Sequence, residues 1–350
     1  MDLEQREYRA DALLMRRLRV DAGMTVADFR VKAMVDRSTA NKMLRGEPVL
    51  LSKLKQAVSR AFGIDSVLEV LHPEEKAAMG AQTSVAPSGS VLEYEVEKYL
   101  SGWATTTNGL QYQLVKLRHR FIPQRFARGK CYELRHMSDR ERTEVEVYLH
   151  RHIEVCDRID DHPNVARNIT AAEVDGLWWV IDRWEDGETV AQRMKAGAFS
   201  DYELKVVMTG IAEGLIAMHA EGIIRRELTP ASVLLRAKND QPVLTDLEMA
   251  KINKGGPTVA PAVWPDDPYR ALEVTGSKEI TEKADIYSWG RIFAHAAWGN
   301  LPERGKEEIE RLTKLPTKTR DVVNLSLQIT PSARKVTLKQ IVDSLKAWIV

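Results

Sequence analysis

Apolar residues recur at helical spacing in two short stretches near the start of the chain. Val26, Phe29 and Ala33 share one face, and Ala40, Met43 and Leu44 share another. Thr25 and Asp36 stand just before these stretches, where a side-chain oxygen can cap a helix. Ala12–Ala22 before Gly23 and Leu51–Phe62 before Gly63 read as flanking helices closed by glycine. Further on the period shortens to two. Tyr94–Leu100, Leu110–Arg118 and Lys130–Arg135 read as strands, and Arg140–Ile159 as a helix. Trp178–Trp184 reads as a further strand, with Trp178 and Trp179 on opposite faces. Leu204, Val207, Met208, Ile211, Leu215 and Met218 then form a stripe typical of a buried helix. The pattern predicts an α+β multidomain chain: an all-α bundle over 1–72, a flexible linker over 73–90, and a larger region over 91–350.

An apolar content of 44 % supports full cores, and a net charge of +1 gives no overall polyanion signature. Local charge changes that picture. Residues 1–70 hold thirteen Lys/Arg against ten Asp/Glu, and Tyr112–Arg135 holds seven basic residues against the single acid Glu133. Arg118, Arg120, Arg125, Arg128 and Lys130, interleaved with Phe121 and Phe126, therefore form a candidate basic contact surface. Cys131 and Cys156 lack metal-ligand spacing and read as buried free thiols. The first twenty residues are charged throughout and no apolar run approaches about 18 residues, so a signal peptide and a membrane span are not expected.

The stretch Met24–Gly46 resembles the helix-turn-helix of phage-repressor (Cro/XRE-type) domains, with Met34 where a glycine is usual at the turn. The resemblance implies a recognition helix in the major groove. Arg37, Ser38, Asn41 and Lys42 would reach base edges, and Thr25 and Arg45 would meet phosphates. Double-stranded DNA is then the expected partner, and a homodimer the expected state, because one weakly basic copy releases few counterions.

Residues 91–350 resemble a bilobal eukaryotic-like Ser/Thr protein kinase, with a β-rich small lobe over about 91–184 and a helical large lobe over about 185–350. Arg225-Arg226-Glu227-Leu228 with Ser232 has the shape of the H-R-D-L-x-x-x-N catalytic loop. Glu227 stands at the catalytic-base Asp and Ser232 at the metal-binding Asn. Asp246-Leu247-Glu248 matches D-F-G, keeping the metal-binding Asp but placing Glu248 at the glycine, a position costly for any Cβ if φ is positive. Glu248 could instead add a second carboxylate to a cation. Glu273, Asp285 and Arg334 fall on scaffold positions.

In the small lobe, Arg135 aligns with the phosphate-binding Lys, Glu133 with the small residue under adenine, and His152 with the Lys-pairing Glu; Lys116 is an alternative lysine. Around the nucleotide-covering loop only Gly102 and Gly109 match. With so many reactive positions altered, the resemblance implies a pseudokinase that has no catalytic residues, needs no cofactor, and holds a metal only if Asp246 binds a nucleotide–metal complex. The expected protein is a cytoplasmic, nucleoid-associated bacterial transcription regulator, a repressor by resemblance. Its kinase-like part would sense a small ligand, dimerise or bind a protein partner. The alternatives are an active atypical Ser/Thr kinase targeted to DNA and a protein-docking adaptor.

Overall fold

The computed structural model describes residues 6–64, 67–72, 89–106, 110–135, 137, 139–252, 267–276, 280–305, 312 and 314–350. The predicted linker over 73–90 lies outside these residues except at Gly89 and Ser90, as does Gly109. The chain divides into two compact units, 1–88 with 101–113 and 89–100 with 114–350.

In the first unit, β1 (Glu7–Arg9), α1 (Ala12–Asp21), α2 (Val26–Ala33), α3 (Arg37–Arg45), β2 (Pro48–Leu50) and α4 (Leu51–Phe62) follow in order. Local chemistry sets their limits. The Thr25 side chain accepts from the Asp28 N–H and the Asp28 carboxylate accepts from the Thr25 N–H, a reciprocal cap that starts α2. Asp36 caps α3 by accepting from the Thr39 N–H at 2.9 Å. Met34, between them, takes the left-handed conformation (φ 57°) and leaves its side chain exposed. The two sequence stripes meet in one core except at Val26, which is exposed: Phe29, Ala33, Ala40, Met43 and Leu44 pack with Leu54 and Val58 of α4. Phe29 and Phe62 stack with ring centroids 5.5 Å apart. The short strand β5 (Ala104–Thr105) pairs antiparallel with Gln111–Tyr112.

The second unit begins with β3 (Ser90–Val91), β4 (Tyr94–Tyr99), β6 (Gln111–His119, in this unit from Leu114), β7 (Phe126–Glu133), α5 (Asp139–Ile159), β8 (Asn168–Val174) and β9 (Leu177–Arg183). Their sheet runs in the order β3-β4-β6-β7-β9-β8. β7 starts four residues before the expected Lys130 and ends before Arg135, a shift that moves the site.

A helical part follows, with β10 (Gly187–Thr189), α6 (Val190–Met194), α7 (Asp201–Ala220), β11 (Ile223–Ile224), β12 (Val233–Arg236), β13 (Pro242–Leu244) and β14 (Lys251–Ile252). It continues with α8 (Glu273–Gly276), α9 (Lys283–Trp298), α10 (Thr317–Ser326) and α11 (Leu338–Ala347). The predicted stripe on α7 is wholly buried, and the Trp289 indole N–H of α9 donates to the Met208 carbonyl at 2.9 Å. No described helix is long and apolar enough to cross a membrane.

Candidate functional site

Side chains alternate along a strand, so Arg128, Lys130 and Tyr132 of β7 project to one face. The register sets them opposite Asp182, Val180 and Trp178 of β9. Gly129 projects to the other face. A Cβ there would stand 2.8 Å from Val115 Cγ2 and 2.9 Å from Leu117 Cδ1, so only glycine lets β6 pack this closely.

β13 delivers the second half of the site. Asp246 follows it in the left-handed conformation (φ 57°), at a cost of about 1 kcal/mol. A short 3-10 turn over Leu247–Met249 then brings Glu248 back toward β7. The positive φ falls on Asp246 and not on Glu248, so the Cβ of Glu248 carries no such cost and the strain expected there is absent.

The two halves meet in a buried charge cluster. Lys130 Nζ donates to Asp246 Oδ1 at 2.8 Å and also to Glu248 Oε1. Arg128 Nη2 donates to Asp246 Oδ1 at 3.1 Å, and the Tyr132 hydroxyl donates to Glu248 Oε1 at 2.9 Å. Burial alone would raise the Asp246 pKa, but Arg128 and Lys130 hold it well below the usual carboxylate range. Burial likewise opposes charge on Lys130, and Asp246 and Glu248 outweigh it, keeping the ammonium charged. Burial also raises the Glu248 pKa, but Lys130 outweighs it and keeps that carboxyl ionised. Glu248 Oε2 is buried with no hydrogen-bond partner.

His152 of α5 closes the back of the cluster. Its Nδ1 accepts from the Leu247 N–H at 3.2 Å, so the proton sits on Nε2, which donates to Asp182 Oδ1 at 3.0 Å. Asn168 donates to the same Asp182 oxygen at 3.1 Å. Cys156, a free buried thiol as expected, donates to the Ala166 carbonyl.

The catalytic-loop segment after β11 hangs from Asp285. Its carboxylate accepts from the backbone N–H groups of Arg225 and Arg226, each at 2.8 Å, and its Oδ2 lies 2.8 Å from His219 Nε2. Glu227 accepts from Arg270 Nη2 at 3.0 Å with its side chain 20 % exposed. Ser232 closes a turn, its hydroxyl donating to the Thr229 carbonyl at 3.0 Å. The Thr245 N–H, beside Asp246, donates to the Ser232 carbonyl at 3.0 Å and ties the two segments together. Arg334 pairs with Glu273, as expected of the scaffold positions.

Several sequence expectations change here. Arg135 is not the site lysine: it lies past the end of β7 and pairs with Glu133 at 2.9 Å, away from Asp246. Lys130, read from sequence as surface, takes that place. The position two residues before it, expected to be small, is then Arg128, whose guanidinium turns onto Asp246 and lies 3.8 Å from Asp182. Asp182 was not singled out beforehand; a carboxylate directly after the apolar run Leu177–Ile181 was the available signal. Lys116 stacks over the Phe126 and Trp184 rings and is no substitute lysine. Trp178 packs on His150 of α5.

The basic strip survives only in part as a surface. Arg118 faces Glu97 at 3.3 Å and Glu95 at 3.7 Å, Arg120 faces Glu95 at 3.7 Å, and Arg128 and Lys130 are buried; Arg125 stays exposed. In the first unit, Arg37, Ser38, Lys42 and Arg45 are exposed on α3, and Asn41 is half-buried. Thr25 is occupied by its cap, its hydroxyl 2.7 Å from Asp28 Oδ2.

Comparison with known proteins places this geometry. The family description "Protein kinase domain" matches residues 117–346. Ribosomal protein S6 kinase alpha-1 of Rattus norvegicus is 24 % identical over 263 residues, covering 69 % of this chain and 35 % of the relative. Cell division control protein 2 homolog 3 of Trypanosoma brucei brucei is 30 % identical over 161 residues, covering 44 % of this chain and 50 % of the relative. Ribosomal protein S6 kinase 2 alpha of Xenopus laevis is 29 % identical over 153 residues, covering 43 % and 21 %. The chain thus spans half or less of the length of these relatives. These matches overturn the expectation of an inert pseudokinase acting as a bacterial DNA-binding repressor: the relatives are eukaryotic, and those named for an activity are kinases. Part of the error was the β7 register, which hid Lys130.

Proposed function

Because the chain belongs to the protein kinase family, we propose that it transfers a phosphoryl group from a nucleoside triphosphate to a serine or threonine hydroxyl. The observation that carries this reading is Lys130 Nζ at 2.8 Å from Asp246 Oδ1, which joins a phosphate-binding cation to a metal-binding carboxylate. Lys130 holds the non-transferred phosphates. Glu227 accepts the proton of the attacking hydroxyl as the new O–P bond forms and the bond to the leaving diphosphate breaks. Arg270, 3.0 Å away, orients that carboxylate.

The residues present fit a magnesium ion. Hard carboxylate oxygens at Asp246 and Glu248 suit it, and Glu248 Oε2 is buried without a partner. Magnesium held by Asp246 with Glu248 beside it would neutralise charge on the transferring phosphates.

The first unit is read as a separate domain of helix-turn-helix shape. Two capped helices, α2 and α3, joined through a left-handed Met34, support this reading.

The test is transfer from γ-labelled ATP to a generic serine/threonine protein substrate in the presence of magnesium. Wild type should label the substrate, and Lys130→Met and Asp246→Asn should each lower the rate by about 100-fold or more. No transfer by wild type, or transfer that both variants retain, would reject the reading.

A further inference from the structure

We propose that Glu248 positions Lys130, so that the lysine takes an ionic partner from the same turn that carries Asp246. This rests on Lys130 being the phosphate-binding lysine.

The resemblance assigned the Lys-pairing acid to α5 at His152. That side chain offers no negative charge, and both its nitrogens are committed, Nδ1 to the Leu247 N–H and Nε2 to Asp182. Further along α5, Glu154 is held by Arg151 at 3.3 Å and Arg158 at 2.8 Å. Glu248 meets each requirement of a partner. Its Oε1 is shared by Lys130 Nζ and the Tyr132 hydroxyl, two groups on one face of β7, so the carboxylate is fixed at two points along the strand. Both side chains of the pair are only 7 % exposed, and in such a setting the attraction is weakly screened.

The arrangement has a mechanical consequence. Leu247 lies between the two acids, and its N–H is bound by His152. Helix α5 therefore touches this turn through the His152 hydrogen bond, and the turn presents both carboxylates to the lysine. Displacing α5 would move Lys130 and Asp246 through one element instead of separating them.

The experiment has two readouts on the full chain. The first is acylation of lysines by acetic anhydride at pH 9, quantified by mass spectrometry, with Lys116 as internal reference on its two aromatic rings. The Glu248 carboxylate covers Lys130 Nζ and holds it against β7, so weakening that contact leaves the nitrogen freer to meet the reagent. Glu248→Gln should therefore speed labelling of Lys130 relative to Lys116 by about tenfold, and Glu248→Asp should reverse most of that gain. The second readout is steady-state phosphotransfer, in which Glu248→Gln should raise KM for Mg·ATP about tenfold, with the conservative variant between the two. Glutamine is close in shape to glutamate, and circular dichroism checks that the fold is kept. Lys130 labelling in Glu248→Gln within twofold of wild type would overturn the proposal. A wild type without phosphotransfer would instead defeat the kinase reading, while the labelling result would still decide whether Glu248 governs the lysine.

Discussion

The two units are held by different kinds of fixed point. In the first, the anchors are local: Thr25 with Asp28 and Asp36 with Thr39 are each three residues apart, and glycines 46 and 63 close α3 and α4 in the left-handed conformation. In the second, the anchors join distant parts of the chain. Lys130 and Asp246 are 116 residues apart, Arg334 and Glu273 are 61, and Arg226 and Asp285 are 59. A local cap costs little ordering entropy and contributes about 1 kcal/mol. A buried ion pair holds charges that cannot be left alone, so losing one partner is far more damaging than the pair's net worth suggests. The scaffold of the second unit and its buried charge cluster therefore use the same kind of bond.

The sharpest way to break this comparison is Arg334→Met. The Arg334 side chain is fully buried, pairs with Glu273, stacks on the Tyr287 ring at 4.7 Å, and donates to the Lys283 carbonyl at 3.0 Å and the Ile329 carbonyl at 2.7 Å. Methionine keeps the stem and removes every donor. The expected cost is about 3–5 kcal/mol, read as a lower denaturant midpoint for the second unit. A loss below about 1 kcal/mol would make this pair no stronger than a surface salt bridge and would remove the contrast between the units.

The same distinction explains what the sequence disclosed. The helices of the first unit were legible nearly to the residue because caps, stripes and closing glycines lie within a few positions of one another. Glu273, Asp285 and Arg334 were legible because they stand at fixed offsets inside recognisable segments. The cleft was not. Lys130 was misplaced by five residues because β7 carries charge on its inward face, Arg128 and Lys130, where an alternating pattern would place apolar side chains. The partners that make those charges tolerable, Asp182, Asp246 and Glu248, lie 50 or more residues away and leave no trace in local periodicity. Glu248 was read as a costly replacement of glycine or as a second carboxylate for a cation for the same reason: its partner on β7 was out of view.

Two glycine-to-alanine changes bring the comparison to a single methyl group. Gly129→Ala puts a Cβ into the Val115 and Leu117 side chains, at 2.8 and 2.9 Å, so those side chains or the strands that carry them must shift. The cost is about 1–3 kcal/mol of overpacking in the second unit. Because Lys130 is the next residue, the proposed phosphotransfer should fall as well. Pairing the change with Leu117→Val, which opens space on β6, should recover part of the stability if distant packing is the cause. No recovery would place the effect in the local backbone and erase the difference between the units.

Gly63→Ala is the smallest effect and the cleanest control, because it isolates local strain. Gly63 closes α4 with φ 71°, its N–H donates to the Ser59 carbonyl at 2.9 Å, and an added Cβ would meet nothing within 4 Å. Alanine therefore gains no contact and loses none. It only has to hold a left-handed conformation, at about 1 kcal/mol. Asparagine tolerates that conformation better than other residues with a Cβ, so Gly63→Asn should lose less than Gly63→Ala although its side chain is larger. Hydrogen exchange at the α4 amides of the full-length protein reads both variants, with protection of the second unit unchanged. If asparagine proves as costly as alanine, backbone strain is not what Gly63 relieves, and the local account of the first unit fails at its simplest position.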